Sequence, residues 1–219
     1  MKYGTFEYSK GNLKIGTDTI IFNMGSATNC PSKLAGLCDI NCYAMKAENM
    51  YPLCMPYRDR QEAYWLSHSA DEIAMDLCGA LHRHRRTVRF VRINESGDLH
   101  SSECLTKLIK IAKIVRDMFP KVVMYTYTHR SDIVNSKTAD RLKSHKVSKN
   151  LVINCSNFQR KGLNTFQAIP DIRVHSMAQI SKVKDKILNF GVDFACMGDC
   201  SVCGYCKKSH GKKIGVPLH

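Results

Sequence analysis

What the sequence is short of narrows the field first. No segment approaches the ~18 consecutive apolar residues of a membrane-spanning helix. The opening Met1-Lys2-Tyr3-Gly4-Thr5-Phe6-Glu7 also lacks the apolar core of a secretory signal. A membrane partner is therefore not expected, and the chain reads as cytoplasmic. Low-complexity linkers, fixed-period repeats and breaks in composition are missing as well, which argues for one continuous domain over residues 1–219. Acidic residues are scarce: 19 Asp and Glu stand against 33 Lys and Arg, a formal charge of +14. Apolar residues are not scarce, and at 44% they exclude a wholly disordered basic protein.

The positive charge gathers in His82-Arg83-His84-Arg85-Arg86, Lys143 to Lys149 and Lys207 to Lys213. Such a balance suits nucleic acid or another polyanion as partner. The other reading is a solvated basic surface, since no nucleic-acid motif accompanies the charge.

Short β-type runs alternate with helical patterns. The runs are Thr19 to Met24, Val88 to Asn94, Val122 to Thr128, Leu151 to Cys155, Ile172 to His175 and Val192 to Cys196, each apolar enough for a strand covered on both faces. Between them, Ser69 with Glu72 makes a capping box before Ile73, Leu77 and Leu81. The stripe Leu105, Leu108, Ile109, Ala112, Val115, Phe119 ends at Pro120. Ser176 with Gln179 repeats the capping pattern ahead of Ile180, Val183 and Ile187, toward an end near Gly191. Residues Ser136 to Ser144 read as helix, and Gln159 to Ala168 as a weaker one. Alternation of this kind implies an α/β fold with parallel strands, either a partial (β/α)6 barrel or an open doubly wound sheet. In both, ligands gather at the carboxyl ends of the strands.

The 11 cysteines are too many for packing alone, and in a reducing compartment clustered thiols point to metal or redox chemistry rather than disulfides. Cys196, Cys200, Cys203 and Cys206 follow the last run as C-x3-C-x2-C-x2-C, a spacing that can wrap a 4Fe–4S cluster. Zinc is the alternative, because it too accepts four thiolates. Cys30, Cys38 and Cys42 follow the first run and form a second candidate set, supplying either a second metal site or further ligands to one shared cluster. Cys78 and Cys104 lie on helical patterns and read as packing thiols, while Cys54 and Cys155 are left unassigned.

The remaining strand ends carry polar groups suited to a cofactor: Asn94, Ser96 and Asp98, then Thr128 and Arg130, then Asn154, then His175. Asp98 also reads as a helix start. Arg58 or Arg60 could hold a cofactor carboxylate or phosphate, or make a surface ion pair. No residue is marked as catalytic.

The set Asn29-Cys30-Pro31, Cys38, Cys42 and the Arg58/Arg60 segment resembles the bacteriophage family called gene product 88. The stretches Phe90 to Leu99 and Tyr125 to Arg130 are similar to strand ends of radical-SAM-like barrel proteins. The resemblance implies a phage origin, hence a host cytoplasm, and a radical-SAM-like partial barrel. It also implies a 4Fe–4S cluster, S-adenosylmethionine as a ligand, and redox or radical chemistry fed by an electron donor. The pattern C-x3-C-x2-C belongs after the first strand in those barrels, whereas here that loop reads C-x7-C-x3-C. The alternative function is a zinc-stabilised basic module that binds nucleic acid without catalysis.

Overall fold

A computed structural model describes residues 5–38, 42–143 and 149–218. Eight strands make one sheet: β1 (Ser9–Lys10), β2 (Thr19–Phe22), β3 (Phe90–Ile93), β4 (Val123–Thr128), β5 (Leu151–Ser156), β6 (Asn164–Arg173), β7 (Phe194–Ala195) and β8 (Lys213–Leu218). Their order is β1-β2-β3-β4-β5-β6-β8-β7, with only β1 antiparallel to its neighbour. The helices are α1 (Pro31–Leu34), α2 (Tyr43–Met50), α3 (Cys54–Ser67), α4 (Ala70–Arg83), α5 (Ser102–Met118), α6 (Ser136–Lys143), α7 (Met177–Leu188) and α8 (Cys200–Cys203), and a 3-10 turn spans Tyr205–Lys207. This is a mixed α/β fold with a mostly parallel sheet flanked by helices. No helix among the described residues is long and apolar enough to cross a membrane.

The local rules hold best in α4 and α5. Ser69 accepts from the Glu72 N–H while Glu72 reaches back to the Ser69 N–H, so the expected capping box forms. Its apolar face, Ile73, Leu77 and Leu81, packs with Leu105, Leu108, Ala112 and Val115 of α5 over Ile20, Val91 and Met124 of the sheet. The second box does not form. Helix α7 starts after Ser176, but the Ser176 side chain makes no cap bond, and Gln179 instead accepts from the His175 N–H. The weak helix expected over Gln159 to Ala168 is not one: Asn164 begins β6, whose first residues pair with β5 on one side and β8 on the other. Sequence reading also finds six strands where the described residues form eight: β1 and β8 are too short or too broken to show a period, and the run Ile172 to His175 catches only the last two residues of β6.

The turn after β3 is held by close backbone approach. Gly97 has φ +76°, and a Cβ there would lie 2.7 Å from the Gly25 nitrogen. Strain of the left-handed backbone and the clash add, so Gly97→Ala is expected to lose about 2–3 kcal/mol, read from urea unfolding midpoints. Gly36→Ala has the same φ sign but open space around its Cβ, and should lose less.

Candidate functional site

At the carboxyl ends of β2, β3 and β4 the loops are tied by side chains that face inward. Asn94, at φ 64°, accepts from the Met24 N–H at 2.8 Å. The Ser96 N–H donates to Asn23 Oδ1 at 2.9 Å. Asp98 accepts from the Ser32 hydroxyl at 2.6 Å, the His129 N–H at 2.8 Å and the Leu99 N–H at 2.7 Å. Thr128 accepts from the Arg130 N–H, and the Arg130 guanidinium bonds Asp132 and the carbonyls of Leu99 and His100. Asn154 donates to the carbonyls of Thr126 and Cys206 and accepts from Asn164. The structure therefore brings Asn94, Ser96, Asp98, Thr128 and Arg130 to one edge, with most of their capacity spent inside the protein. Asn154 lies within β5 beneath the C-terminal segment, and His175 stands exposed beyond β6.

Arg58 is a buried structural cation. Its side chain is 5% exposed and meets Glu48, 3% exposed, at 2.8 Å. Arg60 pairs with Glu7 on the surface.

The cysteines fall into two groups that do not merge. Cys30, Cys38 and Cys42 interact with one another beside Asp98, while Cys196, Cys200, Cys203 and Cys206 interact among themselves against Tyr125 and Tyr127. Neither group is a metal centre: among the described residues no cluster of three or more His, Cys, Asp or Glu could hold a metal ion. That overturns the 4Fe–4S cluster, the zinc alternative, and S-adenosylmethionine, which depended on an open iron. It equally overturns the iron–sulfur or radical enzyme and the zinc-stabilised module.

The physical reason lies in the setting of the thiols, since thiolates and not thiols ligate metals. Burial pushes Cys206 up to about 12 and Cys30 up to about 11. The void bounded by the four C-terminal cysteines is about 20 Å³, room for about one water molecule. The Tyr205 ring, stacked on Phe194 at 4.0 Å, forms part of its wall. In the first loop, the Cys38–Cys42 hydrogen bond moves the two partners in opposite directions. That bond and the N–H groups of Met45 and Ala44 hold Cys42 low against its burial, while the bond and burial raise Cys38.

The opposite rim of the sheet is different in kind. Lys10 of β1 and Arg83, His84, Arg85, Arg86 and Thr87, which lead from α4 toward β3, line a cleft of about 390 Å³ with no acidic side chain. The turn is rigid: Arg85 donates to the His82 carbonyl, and Arg89 donates to the carbonyls of Arg85, Arg86 and Val88. Tyr8 bonds His84 at 3.2 Å, with Arg83 over its ring. Of the three basic runs read from the sequence, the first lines this cleft, and Lys208 and Lys212 of the third are exposed. Lys207 of the third run is buried, 3.9 Å above the Phe90 ring and 3.8 Å from Asp18. Most of the run from Lys143 to Lys149 lies outside the described residues.

Fold and sites define an α/β protein with a mostly parallel sheet, thiol-rich loops with no metal-holding cluster among the described residues, and a basic rim. The model of the bacteriophage family described as gene product 88 matches residues 5–214, and the chain belongs to that family. The match supports a phage origin; nothing in it ties the chain to radical-SAM barrels. No curated protein and no solved structure matches the chain.

Proposed function

We propose that the protein binds the phosphate backbone of nucleic acid in the cleft formed by Lys10, Arg83, Arg85 and Arg86. The observation that carries this reading is the cleft itself: exposed Lys10 of β1 faces Arg83, Arg85 and Arg86 at the end of α4 and the turn after it, without a lining carboxylate, in a chain of net charge +14. Arginine suits the role because its planar fork matches two phosphate oxygens at once. Backbone contacts carry no sequence information, so binding is expected to be weakly sequence-selective.

Binding of a labelled DNA duplex, followed by fluorescence anisotropy across a salt series, tests this. Four phosphate contacts predict a slope of log K against log salt of about −3.6. Replacing Arg83 and Arg86 together by alanine is expected to flatten that slope by about 1.8, because two counterion-releasing contacts are gone. No binding at low salt, or binding indifferent to salt, rejects the proposal.

We also read the sheet as the partial barrel expected from the sequence. Within three residues, Lys207 reaches Phe90 of β3 while the carbonyls of Cys206 and Lys208 accept from Asn154 of β5 and Asn164 of β6. This shared contact with β3, β5 and β6 supports a sheet that curves around the segment.

A further inference from the structure

Strands β2 to β5 run parallel to one another, so the residues just before each of them stand at one end of the sheet. Strand β1 runs the other way, and its last residue, Lys10, beside Ile20 of β2, reaches that same end. The strands start almost level there: Phe90 pairs with Val123, and Met124 with Leu151. The Val123 N–H donates to the Arg89 carbonyl at 3.1 Å, and the Met124 N–H to the Asn150 carbonyl at 2.7 Å. This register sets Lys121, just before β4, between the arginine turn before β3 and Lys149, just before β5. Both lysines are exposed, and no ion pair among the described residues takes up either. The carboxylates at this end are already held: Asp18 by Lys207 at 3.8 Å, and Asp117 by Arg116 at 2.8 Å.

We propose that the basic cleft continues along this end of the sheet over Lys121 and Lys149, and that the resulting track holds the phosphate backbone of a nucleic-acid duplex. Resting on the phosphate-binding reading of the cleft, the track extends that contact from a point to a line. Four strand steps of about 4.8 Å, from β1 to β5, cover at most about 19 Å, the rise of about six base pairs. A duplex fits better than a single strand because the track offers no ring to an unpaired base. Tyr8 is bonded to His84, Phe90 lies under Lys207 and Phe119 packs on the main core, and none of the three is exposed. Proteins that hold single strands stack the bases on exposed aromatic faces.

The other end of the sheet differs in sign. Glu95 and Asp98 follow β3, Asp132 follows β4, and Glu48 joins the loops after β2 and β3. The arginines there are spent on these carboxylates, Arg58 on Glu48 at 2.8 Å and Arg130 on Asp132 at 2.7 Å. A polyanion is therefore drawn to the basic end and turned away from the other, which orients the molecule as it approaches.

The test is fluorescence anisotropy of the full chain with a labelled DNA duplex of about 12 base pairs, twice the span of the track, across a salt series. The four cleft contacts alone give a slope of log K against log salt of about −3.6, whereas six contacts give about −5.4. Lys121→Ala with Lys149→Ala is expected to return the slope to about −3.6. Lys182→Ala with Lys186→Ala removes the same charge from exposed positions on α7 and should leave it near −5.4. An RNA duplex of the same length should displace the labelled DNA, since the two share their phosphates, and the single strand should compete more weakly than either. A wild-type slope near −3.6, or a Lys121/Lys149 variant whose slope is unchanged, overturns the track and leaves the cleft standing. Equal flattening by the α7 pair, or a single strand that competes better than the duplexes, overturns it as well. Loss of all salt dependence, or of binding, overturns track and cleft together.

Discussion

Arg58→Ala is expected to destabilise the protein by about 3–5 kcal/mol, because it leaves a buried carboxylate without its cation. Glu48 is the meeting point of four segments. It accepts from Arg58 of α3 at 2.8 Å, from the Ala27 and Thr28 N–H groups after β2 at 2.7 and 3.2 Å, and from the Ser96 hydroxyl after β3 at 3.4 Å, and it belongs to α2 itself. Arg58 also donates to the Ala44 carbonyl at 3.0 Å, so its loss strands a second acceptor. Urea unfolding of Arg58→Ala beside the double variant with Glu48→Gln separates the two contributions: the double variant should recover part of the loss, since no stranded charge remains. A loss below about 1 kcal/mol would mean that water reaches the carboxylate.

The same pair sets an acid limit. Burial raises the Glu48 carboxyl, but the Ala27 N–H, Arg58 and Thr28 outweigh it and hold it below its ordinary 4.5. A depressed native value stabilises the fold fully above 4.5 and progressively less as pH falls through that native value. Stability measured down a pH series should fall in that acid window, and Arg58→Ala should show a smaller fall, since the main side-chain cause of the depression is gone.

Trp65→Ala is the second large effect, about 3–5 kcal/mol from the cavity left in the main core. Trp65 is 1% exposed, 6.2 Å from the Phe22 ring, and Lys107 donates to its carbonyl while lying over its ring. For a chain of this size the melting temperature should drop by about 2–4 °C per kcal/mol. Trp65→Phe keeps most of the volume and should lose far less. It nevertheless removes the indole donor to Cys104, so some loss remains.

Helices α4 and α5 were legible because their signals are local: a capping box, a 3.6-residue stripe, a proline beyond the end. Strands β6 and β8 were not, because what makes them strands is each other. Pro170 and Pro217 argue against central strands by composition. In the fold β5 pairs β6 only along Asn164 to Phe166, and β7 pairs β8 only at Ile214 and Gly215, so both prolines fall where a neighbour on one side has already ended. Gly215 looks like a breaker, yet a Cβ there would sit 2.5 Å from an Ile187 methyl, so the glycine is what lets α7 close over the strand.

Site reading divided along the same line. Spacing grouped seven cysteines as candidate metal ligands, but spacing does not report burial or room. A cavity of about 20 Å³, with Cys196 and Cys206 raised by desolvation, makes the ligand-like pattern a packed segment. Cys104 reads as a packing thiol from its helical spacing, and the Trp65 indole that donates to it arrives from α3 through packing alone. The sequence by itself determined an α/β chain with parallel strands, the helices with strong local caps, the basic run from His82 to Arg86, and the family. Tertiary structure decided the strand order, that the first basic run lines a cleft while Lys207 of the third is buried, and that among the described residues no cluster of side chains could hold a metal ion. Those outcomes depend on distance and desolvation between residues far apart in the chain, and periodicity and spacing carry neither.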